Sequence, residues 1–170
     1  MGCLSALVRV PLGTILGYVV MLSLLFAGLS AVMVLAGTEF CFDGDSWIAS
    51  EKFCVAALGV LAVAAFLGGF TAMRIGGAGA IFLLLIVFGA AGCVTAMDLL
   101  GQADEIRFKE RPEERPDRLG PLQAAQWSET PTWCEWGNVG VGLAGIVVGS
   151  AVGKRPPRES KRARGRNERD

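Results

Sequence analysis

The chain has 170 residues, 52% of them hydrophobic, with as many acidic as basic residues and a mean hydropathy of +0.49. Soluble domains are ordinarily about 45–50% apolar, and here the excess is concentrated in blocks, which argues against a single soluble core. The chain has no histidine, which removes the commonest general base and the usual Ser–His and Cys–His pairs. We therefore expect no enzyme activity and no cofactor.

Four long stretches without a charged side chain dominate the sequence, at residues 12–36, 53–73, 77–97 and 136–153. A membrane helix needs about 20 mostly apolar residues to cross the bilayer core. The stretches also lack the polar face that a soluble core helix would show. They predict an all-α integral membrane protein with four transmembrane helices in an up-down bundle that occupies residues 1–153.

The first stretch follows Pro11, which we expect at the start of the helix, where its missing N–H costs nothing. A short acidic loop, residues 38–52, comes next and contains Trp47. The second and third stretches are joined only by the turn from Met73 to Gly77, so the two helices must pack antiparallel.

The loop at residues 98–135 is the longest segment outside the predicted helices. Its charged part, residues 104–118, has little apolar surface to bury and is expected to be poorly ordered. Residues 119–136 are richer in apolar side chains, and they fit either a short helix on the membrane surface or a plain loop. With Trp47, they supply the predicted interfacial aromatic residues, Trp127, Trp133 and Trp136.

Charge alternates along the chain in a way that predicts the orientation. The loop at 38–52 has four acidic residues against one basic, and the loop at 98–135 has nine against five. The tail, residues 154–170, has eight basic residues against three acidic. Because basic residues near span ends stay in the cytoplasm, both termini are expected inside and both acidic loops outside.

The basic tail is expected to be disordered and is either a solvated orientation signal or a ligand for anionic lipid headgroups. It has no aromatic side chains to stack on bases, so no nucleic acid is expected as a partner.

A glycine stripe runs along the fourth stretch, through Gly142, Gly145, Gly149 and Gly153. Small residues four apart lie on one helix face and let a second helix approach closely. This glycine zipper predicts close packing, either against helices of the same chain or against another copy.

The five cysteines are Cys3, Cys41, Cys54, Cys93 and Cys134. In the predicted orientation all but Cys3 lie at or near the outer face, where disulfides can form. The pairing we expect is Cys41 with Cys134, which would tie the two outer loops together, although unpaired thiols fit the sequence nearly as well. No metal site is expected, because the chain has no Cys-x-x-Cys motif and no histidine.

Short motifs at the two ends carry a family resemblance. Leu16-Gly17-Tyr18-Val19-Val20-Met21 lies in the first stretch, and Pro131-Thr132-Trp133 with Trp136-Gly137-Asn138 leads into the last. In these motifs the chain resembles small uncharacterised bacterial four-span membrane proteins. The resemblance implies an inner-membrane location and supplies no activity.

The function expected from the sequence is that of a small membrane protein that works through helix packing and its outer loop, with the bilayer and another protein as partners. The alternative is a channel or transporter component that oligomerises through the glycine stripe. Ion transport usually needs ionisable groups within the membrane, and the four stretches contain no charged residue.

Overall fold

The computed structural model describes residues 2–44, 46–97, 112, 123–124 and 127–154, with side chains from residue 7 onward. Within these residues the chain forms α1 (Gly2–Ala36), the short α2 (Thr38–Cys41), α3 (Glu51–Ala96) and α4 (Thr132–Gly153). The described part has no strand, only isolated bridges that join residue 42 to 49 and residue 48 to 129.

Three of these helices are long and apolar enough to cross a membrane, namely Leu7–Ala36, Glu51–Ala96 and Thr132–Gly153. Many large apolar side chains on them are exposed, among them Val55, Phe82 and Val147 at 64%, 68% and 51%. Water would make such exposure costly, whereas lipid tails are as apolar as these side chains. The helices therefore fit a multi-pass membrane protein.

The helices differ from the sequence prediction at two ends. Pro11 lies inside α1 rather than at its start, since that helix already begins at Gly2. The last helix begins at Thr132, one turn before the predicted Trp136. Both differences have the same cause, because the apolar stretch marks the part of a helix suited to lipid while the backbone hydrogen bonds continue beyond it.

Gly77 interrupts α3 with a positive φ of 71° and a ψ of −160°. This backbone region is essentially reserved for glycine. The break divides α3 into a first arm, residues 51–76, and a second arm, residues 78–96.

Contacts along α1 show how it lies on the first arm. Gly13 lies against Gly76, Gly17 against Gly68, and Gly28 against Val60. Because the residue numbers rise along α1 while those of their contacts in the first arm fall, the two helices run antiparallel. The Thr14 hydroxyl also donates to the carbonyl oxygen of Ala80, 3.2 Å away, and so joins α1 to the second arm.

Both arms of α3 contact α4, but in opposite directions. Along the first arm, Leu58 lies against Gly137 and Phe70 against Gly153. Along the second arm, Gly92 lies against Val139 and Gly89 against Leu143. The chain therefore turns back on itself at Gly77, and α4 lies alongside both arms.

The main core lies where α1, both arms and α4 meet. Its largest fully buried side chains are Met21 from α1, Leu84 from the second arm and Ile146 from α4. Alanines of α3 fill the space between them, which lets the helix backbones approach closely. The core members are Met21, Ala64, Ala65, Ala72, Ala80, Ile81, Leu84 and Ile146.

Candidate functional site

The segments between the helices form a cap over one end of the helices. We define the cap as residues 38–50 together with Ala124 and residues 127–131. Its two halves are joined by backbone hydrogen bonds of 2.9 Å, from Ala49 N–H to the Glu129 carbonyl and from Glu129 N–H to the Trp47 carbonyl. Segments that are 80 positions apart are thereby held as one unit.

Ser50 fixes the cap to α3. Its hydroxyl oxygen accepts a 3.1 Å hydrogen bond from the Phe53 N–H at the start of the helix, as an N-cap residue does. The same hydroxyl donates to the Phe40 carbonyl in α2. The Ser50 N–H donates to the Cys41 carbonyl at 2.9 Å, so one residue ties α2 to the opening turn of α3.

An aromatic cluster fills the cap. Trp47 is 7% exposed and meets Phe42 and Trp127 edge-to-face, with ring centroids 5.9 Å and 5.7 Å away. Such geometry is favourable because the positive ring edge faces the negative ring face. Of the four tryptophans predicted at the membrane interface, Trp47 thus lies inside the cap, whereas Trp133 and Trp136 are about half exposed at 48% and 45%.

A cavity of about 440 Å³ lies between the cap and the helices. Cavities of this size commonly accommodate small apolar ligands or side chains. The described residues that line it are uncharged, and their polar groups are thiols, hydroxyls and the Asn138 carboxamide. The apolar part of the wall comes chiefly from Phe26, Leu29, Met33, Phe42, Phe53 and Ala57.

Three cysteines line this cavity, namely Cys41, Cys54 and Cys134. Cys54 and Cys134 belong to one buried cluster with Ala49. Cys41 belongs to the aromatic cluster instead, and burial raises the pKa of its thiol. The structure thus places Cys134 in one cluster with Cys54, and all three thiols are free. The bond expected between Cys41 and Cys134 stays a prediction.

The cysteines do not form a metal site in the described part of the chain. No group of three or more His, Cys, Asp or Glu side chains is placed there to hold a metal ion. Cys54 and Cys134 form a pair, and the chemistry open to two adjacent thiols is disulfide formation.

The glycine stripe of α4 faces α3 of the same chain. A Cβ at Gly145 would lie 2.8 Å from the Cβ of Ala65, and one at Gly153 would lie 3.0 Å from the Phe70 carbonyl oxygen. Gly149 packs on the Phe66 backbone, and Gly142 on the Phe88 ring. In this structure the four glycines of the stripe therefore lie against α3 of the same chain.

Most of the predicted outer loop and nearly all of the basic tail lie outside the described residues. The sequence had placed Cys41, Cys54 and Cys134 on one side of the membrane but missed which two are neighbours. The sequence feature that could have indicated this is their position, because Cys54 and Cys134 each lie in the first turn of a helix.

No family model matches the chain, and no curated protein or solved structure is detectably similar to it. The function is therefore argued from the cap, the cavity and the helices beneath them.

Proposed function

We propose that this chain is a four-span membrane protein that acts through contacts with a partner, and that the cap and its cavity are the contact site. The four spans are α1, the two arms of α3, and α4. The proposal is supported by the break at Gly77 and by the opposite directions of the two arms along α4. It places both termini in the cytoplasm and the cap on the outer face of a bacterial inner membrane.

Charge supports this orientation. Arg9, Arg74 and Lys154 lie near one end of the helices, where Gly76 contacts Arg9 and Gly153 contacts Met73. The cap lies at the other end, and its described acidic residues are Glu39, Asp43 and Glu129. In the sequence, the loops at residues 38–52 and 98–135 are acidic overall, and the tail that begins at Lys154 is basic. Because Lys and Arg are retained on the cytoplasmic side, the cap faces outward in this proposal.

The cavity beneath a hydrogen-bonded cap is the observation that carries the contact function. The described part of its lining is mostly apolar and has no carboxylate or ammonium group, so it favours an apolar group over an ion. Ile48 in the cap is 46% exposed, and Trp133, the second residue of α4, is 48% exposed. Apolar anchors of this kind are typical of protein contact surfaces.

Topology reporters test the span count. Alkaline phosphatase, which is active only outside the cytoplasm, is fused after Gly44 or after Gly76, and a fluorescent protein that folds only in the cytoplasm is used at the same positions. We expect phosphatase activity at Gly44 and fluorescence at Gly76 and at the carboxyl end. Phosphatase activity after Gly76 would overturn the four-span topology.

Site-specific photocrosslinking tests the contact site. A photoreactive amino acid at Ile48 is compared with one at Val147, an α4 residue that is 51% exposed and far from the cap. We expect a discrete protein adduct from position 48 only. The same adduct from positions 48 and 147 would contradict a contact site in the cap. So would the absence of an adduct from position 48 and from a further photoreactive residue at Trp133.

The oligomeric channel has less support, because α3 of the same chain covers the glycine stripe that would join the copies. Gly142, Gly145 and Gly149 would have to leave α3 before they could meet a second copy of α4.

A further inference from the structure

Cys54 and Cys134 lie side by side at the outer ends of two helices. Cys54 is the fourth residue of α3 and Cys134 the third residue of α4. They are 1% and 2% exposed, and they share a buried cluster with Ala49. We propose that these two cysteines form a disulfide in the cell that links the opening turn of α3 to that of α4.

The backbone on both sides of the pair is already fixed, so the bond needs little rearrangement. The Cys54 N–H donates to the Ser50 carbonyl at 2.9 Å, and the Cys134 N–H donates to the Pro131 carbonyl at 2.8 Å. The hydrogen bond between Ala49 and Glu129 joins the segments that lead into the two helices. Disulfides tolerate only a narrow range of separations, and two cysteines that pack in one buried cluster need little movement to reach it.

The alternative partner, Cys41, is held elsewhere. It packs with Met33, Phe42 and Trp47 in the aromatic cluster, and its carbonyl is tied to Ser50. The buried cluster that contains Cys54 and Cys134 does not include Cys41. The packing therefore favours Cys54 over Cys41 as the partner of Cys134.

Oxidation of the pair removes two electrons and two protons. The S–H bonds of Cys54 and Cys134 break, one S–S bond forms, and a disulfide carried by an extracytoplasmic protein accepts the electrons and protons and becomes two thiols. This step rests on the proposed orientation, which puts the pair on the oxidising side of the membrane. Burial then shields the bond from reductants, and the bond fixes one wall of the cavity.

Counting free thiols in the full-length protein tests the proposal. Cells are quenched with acid, and the denatured protein is treated with polyethylene glycol maleimide before and after reduction. With five cysteines in the chain, we expect three additions before reduction and five after it. Mass spectrometry of the unreduced digest should find the Cys54 peptide linked to the Cys134 peptide.

Matched variants identify the pair. Cys54→Ser and Cys134→Ser each leave four thiols of the original five, and all four should react without reduction. Cys41→Ser and Cys93→Ser serve as controls, because each should still gain two additions on reduction. Peptide mapping of the unaltered protein decides the matter even where a variant fails to insert.

Five additions without reduction, or a linked peptide that contains Cys41, would overturn the proposal. The topology reporters keep this failure distinct from failure of the proposed function. If Cys54 and Cys134 are reduced in a protein whose Gly44 fusion has phosphatase activity, the disulfide proposal is wrong and the proposed orientation stands.

Discussion

Gly149 of α4 lies directly against the backbone carbonyl of Phe66 in α3, with no room for a Cβ between them. Gly145 and Gly153, one turn before and after it, pack on the same arm of α3. In a bilayer, helix association depends on close van der Waals packing because lipid offers no hydrophobic driving force between helices. This row of contacts is therefore a principal source of cohesion between α3 and α4.

We expect Gly149→Ala to destabilise the protein by about 1–3 kcal/mol, the usual cost of overpacking a filled core. Gly140→Ala in the same helix is the matched control, because a Cβ there meets nothing within 4 Å. The control should be neutral or slightly stabilising, since alanine favours helix by up to about 1 kcal/mol over glycine. Thermal unfolding in detergent compares the two, and equal effects would contradict the packing described.

Gly77 is the residue that lets α3 turn back. Its φ of 71° with a ψ of −160° is a conformation that other residues adopt only at a cost of about 1–3 kcal/mol. Gly77→Ala should therefore lower stability, although a Cβ at this position meets nothing within 4 Å. The loss would come from the backbone rather than from a clash.

Gly59→Ala is the control for Gly77→Ala. It also has open space around a Cβ, but its backbone is helical. Thermal unfolding of both variants should show a loss at position 77 only. A neutral Gly77→Ala would indicate that α3 does not need the break.

The apolar blocks predicted the helix ends within a few residues, because a long run without charges has few structural alternatives. The exception is the start of α1, which lies at Gly2 rather than near residue 12. The turn at residues 73–77 was also readable, since two glycines follow Arg74 between two apolar blocks. The packing of Cys54 beside Cys134 could not be predicted from the sequence. It depends on how α3 and α4 align, which is set by hydrogen bonds such as the one from Ala49 to Glu129, and a hydropathy pattern does not contain those.

The cap could not be predicted from the sequence for a similar reason. Trp47 was predicted at the membrane interface from its position beside an apolar block, which is the common place for an exposed tryptophan. Its actual partner, Trp127, lies 80 positions away in a segment that the sequence left undecided between helix and loop. Long-range contacts between two loops produce no periodic pattern of apolar residues in the sequence.

Trp47→Ala should loosen the cap. Truncation of a buried tryptophan typically costs about 3–5 kcal/mol, and Trp47 also holds Phe42 and Trp127 in place. Limited proteolysis of the protein in detergent should cleave residues 38–50 much faster in this variant. Trp133→Ala is the control, because a side chain that is 48% exposed leaves only a small loss. Faster cleavage in both variants would speak against Trp47 as the centre of the cap.

Cys41 provides a pH-dependent test of the cavity wall. Burial raises the pKa of its thiol, and only the thiolate reacts with maleimide. In both states the labelling rate should rise by about tenfold per pH unit until the pH reaches the pKa of the thiol. In the folded protein this rise should therefore continue to a higher pH than in the denatured chain. Folding favours the neutral thiol of Cys41. The resulting contribution to folding stability is fully present below the pKa of the thiol in the unfolded chain, and it is lost as the pH rises through the pKa in the folded protein.

Quantitative mass spectrometry of the Cys41 peptide at several pH values measures this shift, with the denatured protein as the reference. Steric shielding alone would slow the reaction equally at every pH, so parallel profiles in the two states would contradict burial of the thiol.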